Sequence, residues 1–421
     1  MRARSIDMEP IEAIDGIESE DTRPASRASS VAEMEYIAPT TVADPEPSGE
    51  TAPDSVSDPT DGGRFAHHFT EAGSEIELLG ATITILNDIT YAGPLVAAED
   101  LESQTIYGTE GDDVIDGGLG NDNIFAFGGN DVIFGGDGDD LIVGGSGIDH
   151  IQGGGGVDSI AGGSDIDYLN GGADRDWLRG ENGNDLLSGD GGDDLLDGGE
   201  GFDILLGGAD NDTLMGRTGG DTLFGGIGDD ELYGDGLDAA ADDGADSLFG
   251  EDGNDKLFGL GGSDHLDGGQ GNDALNGGGG DDYVTGGAGA DRLTGGAGRD
   301  TFVINHADIG YSLDTITDFM RNPPINGGDI VDMRVLFDAH TDFTGTTAAQ
   351  AADQGYLYFR QIGSAGEAGY GTMIYIDPNG SAPDTNPYYH DMPVAFLEGV
   401  GIGELGTPGP SYAGLNNHFL V

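Results

Sequence analysis

The sequence has no cysteine. Disulfides, thiolate metal sites and cysteine nucleophiles are therefore absent. Basic residues are nearly as scarce: 14 Lys+Arg stand against 80 Asp+Glu in 421 residues, a formal net charge of -66, and Lys256 is the only lysine. Such a chain has no basic face for phosphate, which excludes nucleic acid as a partner and argues against anionic membranes. With so few bases, salt bridges cannot absorb the acidity, so cations are the expected ligands. No apolar run reaches the roughly 18 residues of a spanning helix, so no transmembrane segment is expected. The start, MRARSIDMEPIEAIDGIE, has two arginines but neither an apolar h-region nor a small-residue cleavage site. No Sec signal peptide is expected from it.

What is present falls into four stretches. Residues 1–64 are rich in Pro, Ser, Thr, Asp and Glu and read as a disordered acidic arm, too poor in apolar groups to offset ordering entropy. Residues 65–107 contain EIELLGATITILNDITY, whose β-branched residues partly alternate, and are expected to form a short β-strand N-terminal cap. Residues 108–303 follow one strict period, described next. Residues 304–421 abandon it but keep strand-like segments (TFVIN, YLYFRQ, GTMIYIDPNG, MPVAFLEGV), one helix-like patch, TAAQAADQG, and an apolar end, His418–Val421. They are expected to form a β-rich cap.

The period is nine. Aspartate stands at Asp113, Asp122, Asp131, Asp140, Asp149, Asp158, Asp167, Asp176, Asp185, Asp194, Asp203, Asp212, Asp221 and Asp230. After a seven-residue insertion at 237–243, LDAAADD, it resumes at Asp246, Asp255, Asp264, Asp273, Asp282, Asp291 and Asp300. Two residues after each Asp comes an aliphatic residue or Phe. With the insertion set aside, residues 108–303 divide into 21 nonapeptides, each with its Asp at position 6.

One unit, GGSGIDHIQ (Gly144–Gln152), shows the logic. Glycines in the first six positions supply the turn, because glycine readily takes positive φ. The last three residues are expected to form a minimal strand with position 8 pointing inward. Two units then make an 18-residue coil around a thin aliphatic core, and coils stack in parallel about 4.8 Å apart. Stacking aligns the aspartates into like-charged ladders, which are destabilising without counterions. The donors on offer are carboxylates, turn carbonyls and an occasional Asn. Hard oxygen ligands without His or Cys argue against zinc, copper and iron, and a flexible all-protein cage suits Ca²⁺ better than Mg²⁺. Residues 108–303 hold 44 acidic and 6 basic residues, net -38. The 21 units give 19 same-side neighbouring pairs, so up to about 19 calcium ions, or about +38, would neutralise them.

GGxGxDxUx resembles the RTX, or hemolysin-type, calcium-binding nonapeptide. The resemblance implies a parallel β-roll, an RTX solenoid of all-β class, with Ca²⁺ held by turn carbonyls and the position-6 aspartates of paired units. Position 4 departs from glycine at Asp165, Asp174 and Asp210, where the turns are expected to be strained or differently liganded. DTITDF (Asp314–Phe319) followed by GGDIVDM (Gly327–Met333) resembles the segment that closes the rolls of serralysin-like proteins. IYIDPNG, VAFLEGV and the apolar end resemble the C-terminal target region of type I secretion. That implies a bacterial protein exported without a cleaved leader, extracellular or at the cell surface.

Relatives with RTX tails include secreted metalloproteases and lipases, but H-E-x-x-H and G-x-S-x-G are both absent. The eight histidines do not cluster at ligand spacing. His67 and His68 read as a solvated pair, and His150, His265 and Trp177 at position 7 as outward surface residues. The outward aromatics at position 9 (Phe224, Tyr233, Phe249, Phe258) read as strand-forming residues shielding the backbone. No enzymatic activity is expected. The leading reading is a secreted calcium-binding protein of the cell surface, adhesion layer or matrix, with a surface glycan or protein as candidate partner. The alternative is a carrier module of a secreted effector or polysaccharide-active protein, for which Tyr388, Tyr389, His390 and Asp391 are the only candidate residues.

Overall fold

The computed structural model describes residues 75–78, 81–84, 95–97, 103–236, 244–305, 313–320, 328–334, 350–351, 357–365, 369–376, 392–400 and 419–420. The arm at 1–64, His67, His68, the insertion and Tyr388–Asp391 lie outside them. Contacts divide the chain into two units, Met1–Asn87 and Asp88–Val421. In the first, Glu75–Leu78 pairs antiparallel with Ala81–Thr84.

The second unit is a parallel β-solenoid. Successive strands alternate between two sheets, so strand neighbours within a sheet are every second strand of the chain. One sheet has 15 strands and the other 14. The register follows the repeat: Ile160 pairs with Ile142 and with Leu178, eighteen residues away on each side. The expected all-β parallel roll is the observed architecture.

The strands are longer than the glycine pattern suggests. Each regular one runs six residues, positions 7–9 and then 1–3 of the next unit, as in His150–Gly155 and Ser159–Ser164. Only positions 4–6 turn the chain. The side chain at position 8 faces inward, as does position 1, which is glycine in every unit but the third, where Ala126 stands; from Gly117 on, both positions are buried. A side chain at position 1 would fill the interior: a Cβ on Gly180 would stand 2.5 Å from the carbonyl of Gly198 in the next coil. Glycine thus serves the strand here rather than ending it. Positive φ is confined to positions 2 and 4, as at Gly145 (119°) and Gly147 (110°).

The core is two files of side chains, one on each sheet, running from Ile115 to Phe302 with one residue per nonapeptide, all nearly or fully buried. It does not stop with the repeats. Before them, Leu95–Ala97 and Thr105–Tyr107 pair in parallel with Val114–Asp116 and Asn123–Phe125. After them, Asp314–Ile316 and Ile330–Asp332 stack on the last two repeat strands. An antiparallel set, Leu357–Ile362, Gly371–Ile376 and Met392–Glu398, extends one sheet, and Phe419–Leu420 adds to the other. Ile316, Phe319, Val331, Ile374, Leu397 and Phe419 continue the core. Of the helix-like patch, Gln350 and Ala351 are described and are helical.

Candidate metal centre

Each position-6 aspartate closes a turn, and all 21 are exposed by 3% or less. Within a ladder the rungs are alike. The N–H of each Asp donates to Oδ1 of the Asp one coil further on: Asp131 to Asp149 at 2.9 Å, Asp176 to Asp194 at 2.7 Å, Asp203 to Asp221 at 2.8 Å. The rungs cross the insertion without interruption, Asp221 to Asp246 and Asp230 to Asp255, each at 2.8 Å. The backbone carbonyl of the same residue accepts the position-7 N–H of the next coil, as Asp149 does from Tyr168 at 2.9 Å.

The second oxygen has no such bond. From Asp122 to Asp300, Oδ2 of every position-6 aspartate is buried without a hydrogen-bond partner. Asp113, the first, differs: Thr109 binds its Oδ2 through N–H and Oγ1, and Oδ1 is the orphan. A buried carboxylate oxygen left bare is costly. Repetition of that orphan along two ladders is the feature of this fold that calls for a ligand.

Its surroundings indicate which. A Cβ placed on Gly198 would lie 2.5 Å from Oδ2 of Asp203 and 2.8 Å from the carbonyl of Gly216. The bare glycine therefore leaves a cradle edged by a carboxylate oxygen and a peptide carbonyl. Among the described residues, no three His, Asp or Glu side chains converge on one point. A carboxylate oxygen and peptide carbonyls are the donors at the cradle, a hard-oxygen set that fits Ca²⁺.

Electrostatics agree. Burial, opposed by the rung hydrogen bond and reinforced by the neighbouring aspartates, pushes the carboxyls of Asp167, Asp212 and Asp264 up to about 8. Burial, with the same opposing bond, raises Asp149, Asp203 and Asp255 to about 7, and Asp131 and Asp185 to about 6. An apposed cation would restore the charged form at neutral pH.

The ladders extend past the 21 repeats. Asp291 donates to Oδ1 of Asp314 and Asp300 to Oδ1 of Asp329, both at 3.2 Å, and both acceptors are buried. Asp329 differs in its second oxygen, which accepts the N–H of Met320 at 2.5 Å. Asp318 is similar, taking the N–H of Gly295 at 3.0 Å and of Gly296 at 2.7 Å. The last coil thus satisfies these two acids with peptide N–H groups. Both ladder residues keep the signature Asp-x-apolar, Asp314–Ile316 and Asp329–Val331, the one mark they leave in the sequence once the period has broken.

Asp165, Asp174 and Asp210 take φ of 80°, 72° and 77°, the strained conformation expected of them. The sequence did not flag position 2, where Phe127, Glu181, Asp190, Arg217, Glu251 and Leu260 are also left-handed. The outward aromatics stack coil upon coil: Phe224 on Phe249 at 4.9 Å, Tyr233 on Phe258 at 5.0 Å and His150 on Tyr168 at 4.6 Å between ring centres.

The model of the RTX calcium-binding nonapeptide repeat matches at residues 107–142, 134–169, 170–205, 206–238, 241–275 and 267–302. Residues 107–302 are RTX calcium-binding nonapeptide repeats. Repeats of this family bind calcium, and the 237–243 insertion of this RTX chain falls where two of the matches join. Among solved structures, the R3 subunit of an Azotobacter vinelandii mannuronan C5-epimerase is similar at 21% identity, over 48% of this chain and 84% of that one, with a TM-score of 0.20. No curated protein sequence matches this RTX chain.

Proposed function

We propose that this RTX protein is a calcium-triggered folding unit, in which the aspartates from Asp113 to Asp300 are the ligands and the array takes up to about 19 ions, with Asp314 extending one ladder. The ladder of buried, orphaned carboxylate oxygens carries this reading. Calcium supplies the positive charge that the buried carboxylates require. The chain supplies the cradle: position-1 glycine leaves the space, the rung N–H orients Oδ1, and the turn presents Oδ2. Binding free energy then becomes folding free energy. Affinities of about 10⁻⁴–10⁻³ M, typical of extracellular modules, would keep the chain unfolded in a low-calcium cytosol and fold it outside.

The roll serves a protein exported by a type I system to the bacterial exterior, as a non-enzymatic component of the cell surface or matrix. The resemblance of IYIDPNG, VAFLEGV and the apolar end to a type I target region supports export, and the missing hydrolase motifs support the absence of catalysis. Circular dichroism during a calcium titration tests the trigger: the β spectrum is expected to appear cooperatively with calcium, and a full β spectrum in excess chelator at neutral pH would refute it. Asp194→Ala, Asp203→Ala and Asp212→Ala combined are expected to lower both cooperativity and the number of ions bound.

A further inference from the structure

Two kinds of bond besides the strand ladders and aspartate rungs tie neighbouring coils at their turns. In the first, a position-4 N–H donates to the position-3 carbonyl one coil on. It joins Gly129 to Ser146 at 2.9 Å, Gly138 to Gly155 at 2.6 Å and Gly147 to Ser164 at 3.2 Å. In the second, a position-5 side chain accepts the position-5 N–H of the next coil. Asn130 accepts from Ile148 at 2.9 Å and Asp139 from Val157 at 3.0 Å. Further on, Asp193, Asn211, Asp229, Asn254 and Asn272 form an unbroken rail along one edge, each accepting from the next at 2.8–3.0 Å and ending on the N–H of Ala290.

Both kinds lapse in the same place. Gly156, Asp165 and Asp174 make no position-4 bond, and the series resumes only at Gly183 and Gly192. Position 5 there is Ile148, Val157, Ile166 and Arg175, none of which carries an acceptor. The residues at 165 and 174 are also the left-handed aspartates, so strain falls where the ties are missing. The insertion is not equivalent. Position-4 bonds are missing there too, at Asp210, Gly219, Gly244 and Gly262, and Gly220 and Ala245 interrupt position 5 on one edge, but Asn211, Asp229 and Asn254 hold the other. Among the described residues, only the stretch from 156 to 176 loses both ties on both edges.

What crosses that stretch is the strand pairing, Ser159 with Trp177 and Tyr168 with Leu186, one exposed side-chain bond, Asn170 Nδ2 to Asp190 Oδ2 at 2.8 Å, and the aspartate rungs, Asp158 to Asp176 and Asp167 to Asp185, both at 2.8 Å. The rungs are the contacts that need their charge neutralised. We propose that residues 156–176 are a calcium-gated seam, where the roll parts first as calcium falls, leaving a block on either side still stacked. The inference rests on the calcium reading above and adds where, within the array, the ion controls the structure.

Hydrogen exchange of the full chain, resolved by peptide across a calcium series, tests it. At half-saturating calcium, amides from 156 to 176 are expected to exchange at least about tenfold faster than those from 211 to 272, with the difference closing at saturation. The combination Val157→Asn, Ile166→Asn and Arg175→Asn restores acceptors and is expected to bring the seam to the protection of its neighbours. Conversely, Asn211→Ala with Asn254→Ala is expected to open a second weak stretch around those residues. Calcium-dependent exchange that is uniform along the array, or a seam unmoved by the three asparagines in a folded variant, would overturn the seam alone. Exchange indifferent to calcium everywhere would overturn the calcium reading with it.

Discussion

Asp167 shows how a carboxylate can work against the fold that contains it. Its Oδ1 accepts one N–H, its Oδ2 has no hydrogen-bond partner, and burial with its neighbours raises it to about 8. A group whose pKa is higher folded than unfolded contributes stability that is complete below its ordinary value, about 4, and is lost as pH rises through the folded value. The calcium-free chain is therefore expected to gain β structure near pH 5 and to lose it by pH 8, read by circular dichroism in chelator. With the aspartates as the proposed ligands, protons and calcium would compete for the same oxygens, so calcium affinity should fall as pH drops through the same range. Asp167→Asn keeps the rung acceptor and removes the charge. It is expected to stabilise the calcium-free state and to reduce the number of ions bound, measured by calorimetry. A different residue effect belongs to position 2. Leu260 holds φ of 75° without glycine's freedom, so Leu260→Gly is expected to stabilise the calcium-loaded protein by about 1 kcal/mol in urea unfolding. Arg217→Gly should give no such gain, because it removes the Nε and Nη2 bonds to Asp197 at 2.8 and 2.7 Å.

At the level of strands and turns, the coil carries little apolar material. Each nonapeptide buries one aliphatic side chain, so Leu205→Ala, at the middle of its file, is expected to cost about 2–5 kcal/mol and to raise the calcium needed for folding. The element pattern was partly legible beforehand. The period of nine, the inward position 8 and the parallel stacking follow from the spacing of Asp, Ile and Leu, because a repeat of that length has few ways to bury one side chain in nine. Strand length did not follow: Gly-Gly at positions 1 and 2 reads locally as turn, yet in the stack both lie in strand, held by neighbours eighteen residues away. Asp314 and Asp329 were hidden for a related reason. The period breaks after Asp300, and only the sheet register shows that the ladders go on. The orphaned oxygens and the lapse of turn bonds at 156–176 depend on three-dimensional pairing and leave no mark in composition.

For the whole molecule, charge dominates. The repeats alone carry net -38, but long-range repulsion is only part of the difficulty. At 1 M salt the Debye length is about 3 Å, so monovalent ions screen the repulsion between exposed charges on different coils. They do not ligate an oxygen buried beside a carbonyl. Sodium chloride at about 1 M is accordingly expected to leave the calcium-free chain without its β spectrum at pH 8, and folding by salt alone would show that screening suffices. The aspartate rungs also have a direction. Every rung N–H, Asp113 through Asp300, points toward the following coil, and every accepting Oδ1, Asp131 through Asp329, toward the preceding one. The stack is consequently polar, like a screw thread that accepts its nut from one end. Two such rolls meeting tip to tip cannot be related by a dyad through these bonds, so any filament built on them would run head to tail.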